Sequence, residues 1–388
     1  MSYPNSSTPI KVNLSSTVDT ILLSKGTTAT LLVQTSIGEG TDKLYDIQDV
    51  IGSVGQDTII GDSGVNSLSG GAEADILMGD SGNDTILGGL DLDDIYGGSF
   101  DGATATDSGS GSDTVDYSYI SDTKAINVDL NRATEVVFQI GTPTNYDNLT
   151  HIENIIATKN NDLIKGSDDF AVVNILDGYK GDDVFYSSKG TDSFIGGAGI
   201  DTLDFSNVDL LNGGNRVIVD LGLGKITDDG YHDGTTVIED YVSEVEIVIG
   251  TKGNDNLYGD SNKNTLIGDD GADIIDGREG DDSLNGGAGA DDIGGGTGND
   301  IILGGADADN IDGGTGTDII DAEAGDDVIV GGTGNDTLTG GSGIDELSYV
   351  SALSGITVTL GNGSASFGTI TSTTEGTDKL LDHFEIIR

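Results

Sequence analysis

Residues 250–348 read GTKGNDNLY, GDSNKNTLI, GDDGADIID, GREGDDSLN, GGAGADDIG, GGTGNDIIL, GGADADNID, GGTGTDIID, AEAGDDVIV, GGTGNDTLT and GGSGIDELS, which is eleven units of nine residues without a gap. The first position is Gly in ten units, the fourth is Gly in nine, and the sixth is Asp in ten. The eighth position is Leu or Ile in all eleven. A fixed period of this kind indicates a repeat architecture rather than several independent domains.

The same unit occurs in two other stretches of the chain. Five copies run from 52 to 96, and one more ends at Val115 after an insertion of a different length. A weaker series, with one degraded and one longer copy, covers 157–204. The sequence therefore predicts three repeat blocks, at 52–118, 157–206 and 250–349.

The segments outside the blocks repeat more loosely. Each opens with an alternating apolar run, namely Ile10-Lys-Val-Asn-Leu14, Ile126-Asn-Val-Asp-Leu130, Val217-Ile-Val-Asp-Leu221 and Ile356-Thr-Val-Thr-Leu360. Alternation with β-branched residues is typical of strands. We therefore expect strand-rich segments at 1–51 and 350–388 and strand-rich spacers at 119–156 and 207–249.

Each unit predicts a three-residue strand followed by a turn. The aliphatic eighth residue points inward, and the glycines supply the positive φ angles that other residues resist. Asn and Asp tolerate that conformation next best, which suits Asn262 and Asp307 at the fourth position, whereas Glu73 suits it poorly. Two strands and two turns make one coil of eighteen residues, so units two apart should stack. The predicted fold class is an all-β parallel β-roll, a β-solenoid.

Composition excludes several classes of function. The 68 acidic and 16 basic residues give a net charge of -52, which disfavours binding to nucleic acid or anionic membranes. The absence of cysteine excludes disulfides and thiolate metal sites. No stretch of about 18 apolar residues is present, so no transmembrane segment is predicted. The natural partner of this charge is a cation.

Stacked turns would place sixth-position carboxylates about 4.8 Å apart, where each pair repels by up to about 3.5 kcal/mol at an effective dielectric constant of 20. A hard divalent cation removes this repulsion. Carboxylate oxygens and the carbonyl oxygens of Gly-rich turns form an all-oxygen ligand set. This set suits Ca²⁺ better than Mg²⁺. The predicted calcium ligands are Asp57, Asp75, Asp84, Asp93, Asp113, Asp183, Asp192, Asp201, Asp255, Asp273, Asp282, Asp291, Asp300, Asp309, Asp318, Asp327, Asp336 and Asp345.

Two sixth positions hold Asn instead of Asp, and their role stays open at this point. Asn66 and Asn264 are either weaker calcium ligands or plain turn formers. Counting the intervals between stacked turns in the first and third blocks gives about twelve ions before the weak middle block is added.

The units resemble the nonapeptide Gly-Gly-x-Gly-x-Asp-x-apolar-x of the RTX (repeats-in-toxin) family, whose repeats bind calcium. The resemblance implies a parallel β-roll with Ca²⁺ in the turns. It also implies export in the unfolded state through a type I secretion apparatus and folding in extracellular calcium. The expected location is therefore outside the cell or at its surface.

Three kinds of RTX protein stay open. The chain could be a calcium-dependent folding and secretion module of a larger toxin, protease or epimerase. It could instead be a self-standing surface or matrix protein, or an accessory module that binds an extracellular polysaccharide. We expect no enzymatic activity, because His151, His232 and His383 lie outside any zinc or nucleophile motif and paired acids such as Asp281 and Asp282 belong to the repeat. The aromatic residues that follow each block, Tyr117, Phe205 and Tyr349, are expected to cap a block end rather than to stack on a sugar.

Overall fold

The computed structural model describes residues 11–13, 31–32, 48–52, 55–89, 91–100, 105–106, 111–120, 124–131, 135–139, 146–208, 216–229, 239–350, 357–359, 368–372, 376–381, 384 and 386–387. These residues form strands and turns, with no helix among them. This confirms the predicted all-β class. The chain divides into two compact halves, Met1–Gly199 and Ile200–Arg388, which are described separately.

The strands of both halves are short. Those of the N-terminal half are β1 Lys11–Asn13, β2 Leu31–Leu32, β3 Asp49–Ile51, β4 Thr58–Ile60, β5 Ser67–Gly71, β6 Ile76–Met78, β7 Thr85–Gly89, β8 Asp94–Tyr96, β9 Ser99–Phe100, β10 Ala105–Thr106, β11 Thr114–Asp116, β12 Ile126–Asp129, β13 Glu135–Gln139, β14 Tyr146–Thr150, β15 Asn154–Ile156, β16 Leu163–Lys165, β17 Ile175–Asp177, β18 Val184–Tyr186 and β19 Ser193–Ile195. Those of the C-terminal half are β20 Thr202–Asp204, β21 Val217–Asp220, β22 Lys225–Asp229, β23 Asp240–Ser243, β24 Ile247–Ile249, β25 Asn256–Tyr258, β26 Thr265–Asp270, β27 Ile274–Asp276, β28 Ser283–Ala288, β29 Asp292–Gly294, β30 Ile301–Ala306, β31 Asn310–Asp312, β32 Thr315–Gly316, β33 Ile319–Ala324, β34 Val328–Val330, β35 Thr333–Gly334, β36 Thr337–Thr339, β37 Glu346–Leu347, β38 Thr357–Thr359, β39 Gly368–Thr371, β40 Thr377–Leu380 and β41 Ile386–Ile387.

The longest block forms two parallel ladders, as the eighteen-residue coil predicts. In one ladder β24, β26, β28, β30, β33 and β36 pair in succession, with Leu266 opposite Leu284 and Leu284 opposite Ile302. In the other, β25, β27, β29, β31, β34 and β37 pair in the same way. Alternate units therefore stack in register as a parallel β-solenoid.

The core is a row of eighth-position aliphatic side chains. Ile293 is 1% exposed, and Ile302 and Ile320 are fully buried, as predicted. The seventh-position neighbours face outward, so that Ile301 is 47% exposed. Three-residue strands with a period of two can bury only the middle side chain, which explains why the eighth position alone is always aliphatic.

The N-terminal half repeats this arrangement. β4, β6 and β8 form one ladder, and β3, β5, β7 and β11 form the other. The second ladder continues from β11 through β15 to β17 and β19. The parallel pairing thus passes from the first predicted block, through the end of the predicted spacer, into the second block.

The spacer of the N-terminal half is an antiparallel meander inserted into the other ladder. β14 pairs parallel with β8, β13 pairs antiparallel with β14 and β12, and β12 pairs parallel with β16. The described part of the C-terminal half contains two related meanders. β21, β22 and β23 form one that leads into β25, and β38, β39 and β40 form another that stacks on β36.

Residues with a positive φ angle occur at the second and fourth positions of many units. The fourth position has a positive φ at Asp307, 75°, as expected, and also at Glu73, 65°. Asn262 does not adopt this conformation, so the prediction was wrong there. Its N–H instead donates to Oδ1 of Asp260 over 2.7 Å, which is an Asx-turn that shapes the loop in another way.

Candidate metal centre

All eighteen predicted ligands lie at the ends of turns, directly before a strand, and are at most 4% exposed. The acidic sixth position is therefore part of the interior. This placement follows from the repeat, because the eighth residue points into the core and the sixth, two residues earlier, points to the same side. A buried carboxyl group requires compensating partners for its oxygens.

In sixteen of these carboxylates, Oδ1 accepts a backbone N–H from the neighbouring coil. In the first column of the long block, Oδ1 of Asp273 accepts the N–H of Asp255 over 2.7 Å, and Oδ1 of Asp291 accepts the N–H of Asp273 over 2.8 Å. In the second column, Oδ1 of Asp300 accepts the N–H of Asp282 over 2.9 Å. The carboxylates thus link stacked turns through their Oδ1 atoms.

The second oxygen of these carboxylates is buried and has no hydrogen-bond partner in the structure. This holds for the Oδ2 atoms of Asp75, Asp84, Asp93, Asp273, Asp282, Asp291, Asp300, Asp309, Asp318, Asp327 and Asp336. A buried, unsatisfied carboxylate oxygen costs more free energy than almost any other polar atom. The recurrence of this unpartnered carboxylate oxygen at the same position of successive coils fits the binding of a cation in the turns.

Backbone carbonyl oxygens lie close to these vacant acceptors. A Cβ atom placed on Gly286, at the first position of its unit, would lie 2.4 Å from Oδ2 of Asp291 and 2.5 Å from the carbonyl oxygen of Gly304. The first-position glycine is therefore required because two oxygens crowd its Cα, and not because of its φ angle. The sequence pattern alone attributed the glycines to positive φ and missed this role.

The ligand set consists of oxygen atoms only. Among the described residues, no cluster of three or more acidic or histidine side chains converges on one point. An ion in these turns must therefore complete its coordination with backbone carbonyls, which Gly-rich turns leave accessible. Ca²⁺ accepts such a mixed set of six to eight oxygens, whereas Zn²⁺ prefers nitrogen and sulfur. The residues present fit calcium.

Burial changes the acidity of these carboxyl groups. Desolvation, together with the charge of Asp147, raises the pKa of Asp93 to about 8. Desolvation likewise raises the pKa of Asp273 to about 7, although the hydrogen bond from Asp255 opposes the rise. At neutral pH without a cation, such groups are partly protonated. A bound cation would favour their ionised form.

The Asn positions differ from the Asp positions. Oδ1 of Asn264 accepts the N–H of Asp260 in its own turn over 2.8 Å, and Asn66 does the same with Asp62. Their Nδ2 atoms are buried without an acceptor. Of the two interpretations left open by the sequence, this geometry favours a turn-forming role.

Three carboxyl groups at or near the starts of columns also accept hydrogen bonds from donors in their own turns. Asp255 accepts from Thr251, through the backbone N–H and the hydroxyl, and Asp162 accepts from Thr158 in the same manner. Oδ2 of Asp192 accepts the hydroxyl of Ser188 over 2.7 Å. The predicted ligands Asp192 and Asp255 therefore already have internal donors at the oxygen that is vacant elsewhere.

The structure adds acidic residues that the nonapeptide pattern did not include. Asp147, in the meander, continues a column because its Oδ1 accepts the N–H of Asp93 over 3.0 Å. Asp378 continues another through the N–H of Asp336 over 3.1 Å. Glu153, before β15, accepts the N–H of Asp113 over 2.7 Å. The only sequence signal for Glu153 was its place before a closing strand, in Ile152-Glu-Asn-Ile-Ile156.

The aromatic residues after two blocks contact these added carboxylates. Tyr117 is 1% exposed, and its hydroxyl donates to Oδ2 of Asp147 over 3.0 Å. The hydroxyl of Tyr349 donates to Oδ2 of Asp378. At these two block ends, a tyrosine hydroxyl thus donates to the Oδ2 atom, which has no hydrogen-bond partner in the eleven carboxylates named above. Phe205 is buried and carries no hydroxyl.

Comparison with known proteins gives one family. The family model of the RTX calcium-binding nonapeptide repeat comprises four copies of the repeat. It matches residues 49–77, 69–102, 173–203, 243–275, 258–293, 267–302, 285–320, 294–329 and 312–347. The matched stretches contain most of the predicted ligands. No curated protein matches the chain significantly. The described residues include no helix that is long and apolar enough to cross a membrane.

Proposed function

Because the chain belongs to the RTX calcium-binding nonapeptide-repeat family, whose repeats form a calcium-binding β-roll, we propose that its rolls fold on binding Ca²⁺ outside the cell after secretion in the unfolded state. The observation that carries this proposal is the row of buried Oδ2 atoms without a partner. When bound, calcium supplies the positive charge and the oxygen coordination that these atoms lack.

The carboxylates couple folding to calcium because they exist as a buried set only in the folded chain. In the unfolded chain, the sixth-position side chains are hydrated and lie apart. Folding removes them from water and stacks them in columns, which is unfavourable for ionised groups. Cytosolic calcium is far below the roughly 0.1–1 mM affinities of extracellular modules, so the chain should stay expanded before export.

Stacking should make folding cooperative. The hydrogen bond from the N–H of Asp282 to Asp300 joins two coils, so ordering one turn places an acceptor for the next. Solenoids of this kind fold by nearest-neighbour propagation. We expect about twelve ions in the first and third blocks, one for each interval between stacked turns of the repeat.

We propose a binding role for this chain and no catalytic one. The acid pair of Asp281 and Asp282 is split by the fold, since Asp281 accepts hydrogen bonds from Asn299 at the surface while Asp282 lies in a buried column. His232 and His383 lie outside the described residues. The hydroxyls of Tyr117 and Tyr349 donate to Asp147 and Asp378, which supports a role at the block ends rather than in sugar stacking.

The test is circular dichroism of the full chain during a Ca²⁺ titration that starts in excess chelator. We expect β-structure to appear steeply near millimolar calcium and not with Mg²⁺ at the same concentration. Atomic absorption on the dialysed protein then gives the ion number. Complete β-structure in chelator, or only one or two ions per chain, would refute the proposal.

A further inference from the structure

The turn that opens the second column of the long block differs from those that follow. This entry turn, residues 259–264, carries Asn264 where the later turns carry Asp. It also lies beside Arg278, an arginine at the second position of the next unit in that column. These two departures from the repeat occur together at one place in the fold.

Asn264 closes its own turn. Its Oδ1 accepts the N–H of Asp260 over 2.8 Å, and a Cβ on Gly259 would lie 2.7 Å from it. In the next turn of the column, the corresponding position near Gly277 holds the vacant Oδ2 of Asp282. The entry turn therefore presents a neutral, already bonded oxygen where its successor presents a free carboxylate oxygen.

An Asn also closes the corresponding turn of the other two blocks, namely Asn66 at a sixth position of the first block and Asn174 in the longer unit of the middle block. Oδ1 of Asn66 accepts the N–H of Asp62 over 2.8 Å, and Oδ1 of Asn174 accepts the N–H of Ser167 over 2.7 Å. Three entry turns closed by an Asn indicate a positional role, not a chance replacement.

Arg278 brings a positive charge to the entry turn. Its Nη1 and Nη2 atoms each donate to a different oxygen of Asp220 over 2.7 Å, and Nη1 also donates to the carbonyl oxygen of Gly259 over 2.9 Å. The guanidinium lies 5.3 Å from the centre of the Tyr258 ring. Arg278 thus joins its own turn, the entry turn and the strand β21 of the meander.

These contacts occupy two acceptor groups at the entry turn and place a fixed positive charge beside it. The carbonyl of Gly259 and the carboxylate of Asp220 already accept from a guanidinium, which stays charged at every accessible pH. A second cation at the same carbonyl would be repelled by it. Burial alone would raise the pKa of Asp220, but the hydrogen bonds and charge of Arg278 hold it below its ordinary value.

We propose that Arg278 supplies the positive charge at the entry turn of the long block and that this turn binds no calcium ion. The proposal rests on the proposed function and refines it, since calcium then occupies only the turns that follow. The ion number expected for the second column falls by one. The entry turn provides a calcium-independent surface on which the first calcium-binding turn stacks.

The experiment counts calcium ions on the full chain and its variants by atomic absorption after dialysis, and measures Tm in saturating calcium. Arg278→Gln and Asn264→Ala should keep the wild-type ion number. Asp282→Asn, which preserves the shape and an acceptor oxygen in the next turn, should lose at least one ion. The double variant Asn264→Asp with Arg278→Gln should gain one.

Arg278→Gln should also lower Tm by about 2–4 °C at low salt and by less in 1 M NaCl, because salt screens the ion pair. Lys252→Gln is the matched control, since Lys252 pairs with Asp270 at 3.5 Å with both side chains more than half exposed. Loss of an ion in Arg278→Gln or Asn264→Ala, or equal Tm shifts in Arg278→Gln and Lys252→Gln, would overturn the proposal. Failure of the proposed function is distinguishable, because Asp282→Asn would then lose no ion either.

Discussion

Replacement of Asp300 by Ala tests the dual role of the sixth-position carboxylate. Asp300 is 1% exposed, its Oδ1 accepts the N–H of Asp282 over 2.9 Å, and its Oδ2 has no partner in the structure. The substitution leaves a buried N–H without an acceptor, which costs about 1–3 kcal/mol. In a domain of this size, each kcal/mol lowers Tm by about 2–4 °C, so a decrease of about 2–12 °C is expected before any loss of calcium is included.

The loss of calcium is measured separately, from the dependence of Tm on calcium concentration. A ligand that binds only the folded state raises Tm with its concentration, and the slope grows with the number of ions released on unfolding. Asp300→Ala should therefore reduce the slope as well as Tm. Differential scanning calorimetry across a range of calcium concentrations provides both quantities.

Asp292→Ala is the matched control, because it removes the same charge from the same block. Asp292 is exposed and accepts only a side-chain hydrogen bond, from Asn310 over 2.9 Å. Its replacement should change Tm by no more than about 2 °C and leave the slope unchanged. Parallel slopes for Asp300→Ala and the wild type would show that Asp300 does not bind calcium.

Three further results are expected. Folding raises the pKa of Asp93 to about 8 and of Asp282 to about 6, so the folded chain binds protons more tightly than the unfolded chain. In chelator, circular dichroism should therefore show the roll gaining structure as pH falls from 8 through 6 toward 4. Loss of structure over that range would contradict the burial of these carboxylates. Gly286→Ala should lower Tm and the ion number because its Cβ would lie 2.4 Å from Oδ2 of Asp291, whereas Gly294→Ala, with nothing within 4 Å, should alter neither. Tyr117→Phe leaves Oδ2 of Asp147 without its donor and should lower Tm by about 2–12 °C without changing the ion number; an unchanged Tm would show that the hydroxyl does not stabilise the block end.

The periodic part of the protein could be predicted from its sequence. An aliphatic residue at every eighth position defines a short strand with one inward side chain, and Gly at fixed places defines the turns. Because each coil contacts mainly its neighbours, the pairing of Leu266 with Leu284 follows directly from the spacing. The placement of the sixth-position Asp inside the turn follows from the same period.

The non-periodic contacts required the tertiary structure. The sequence predicts strands in the spacers, but not that β12, β13 and β14 enter one ladder while β15 continues the other. It contains no signal that Asp147 completes the column of Asp93, 54 residues away, or that Arg278 reaches Asp220 across 58 residues. A repeat determines contacts at its own period, whereas contacts at the ends of a block depend on how the intervening chain folds back, and only the assembled structure decides that.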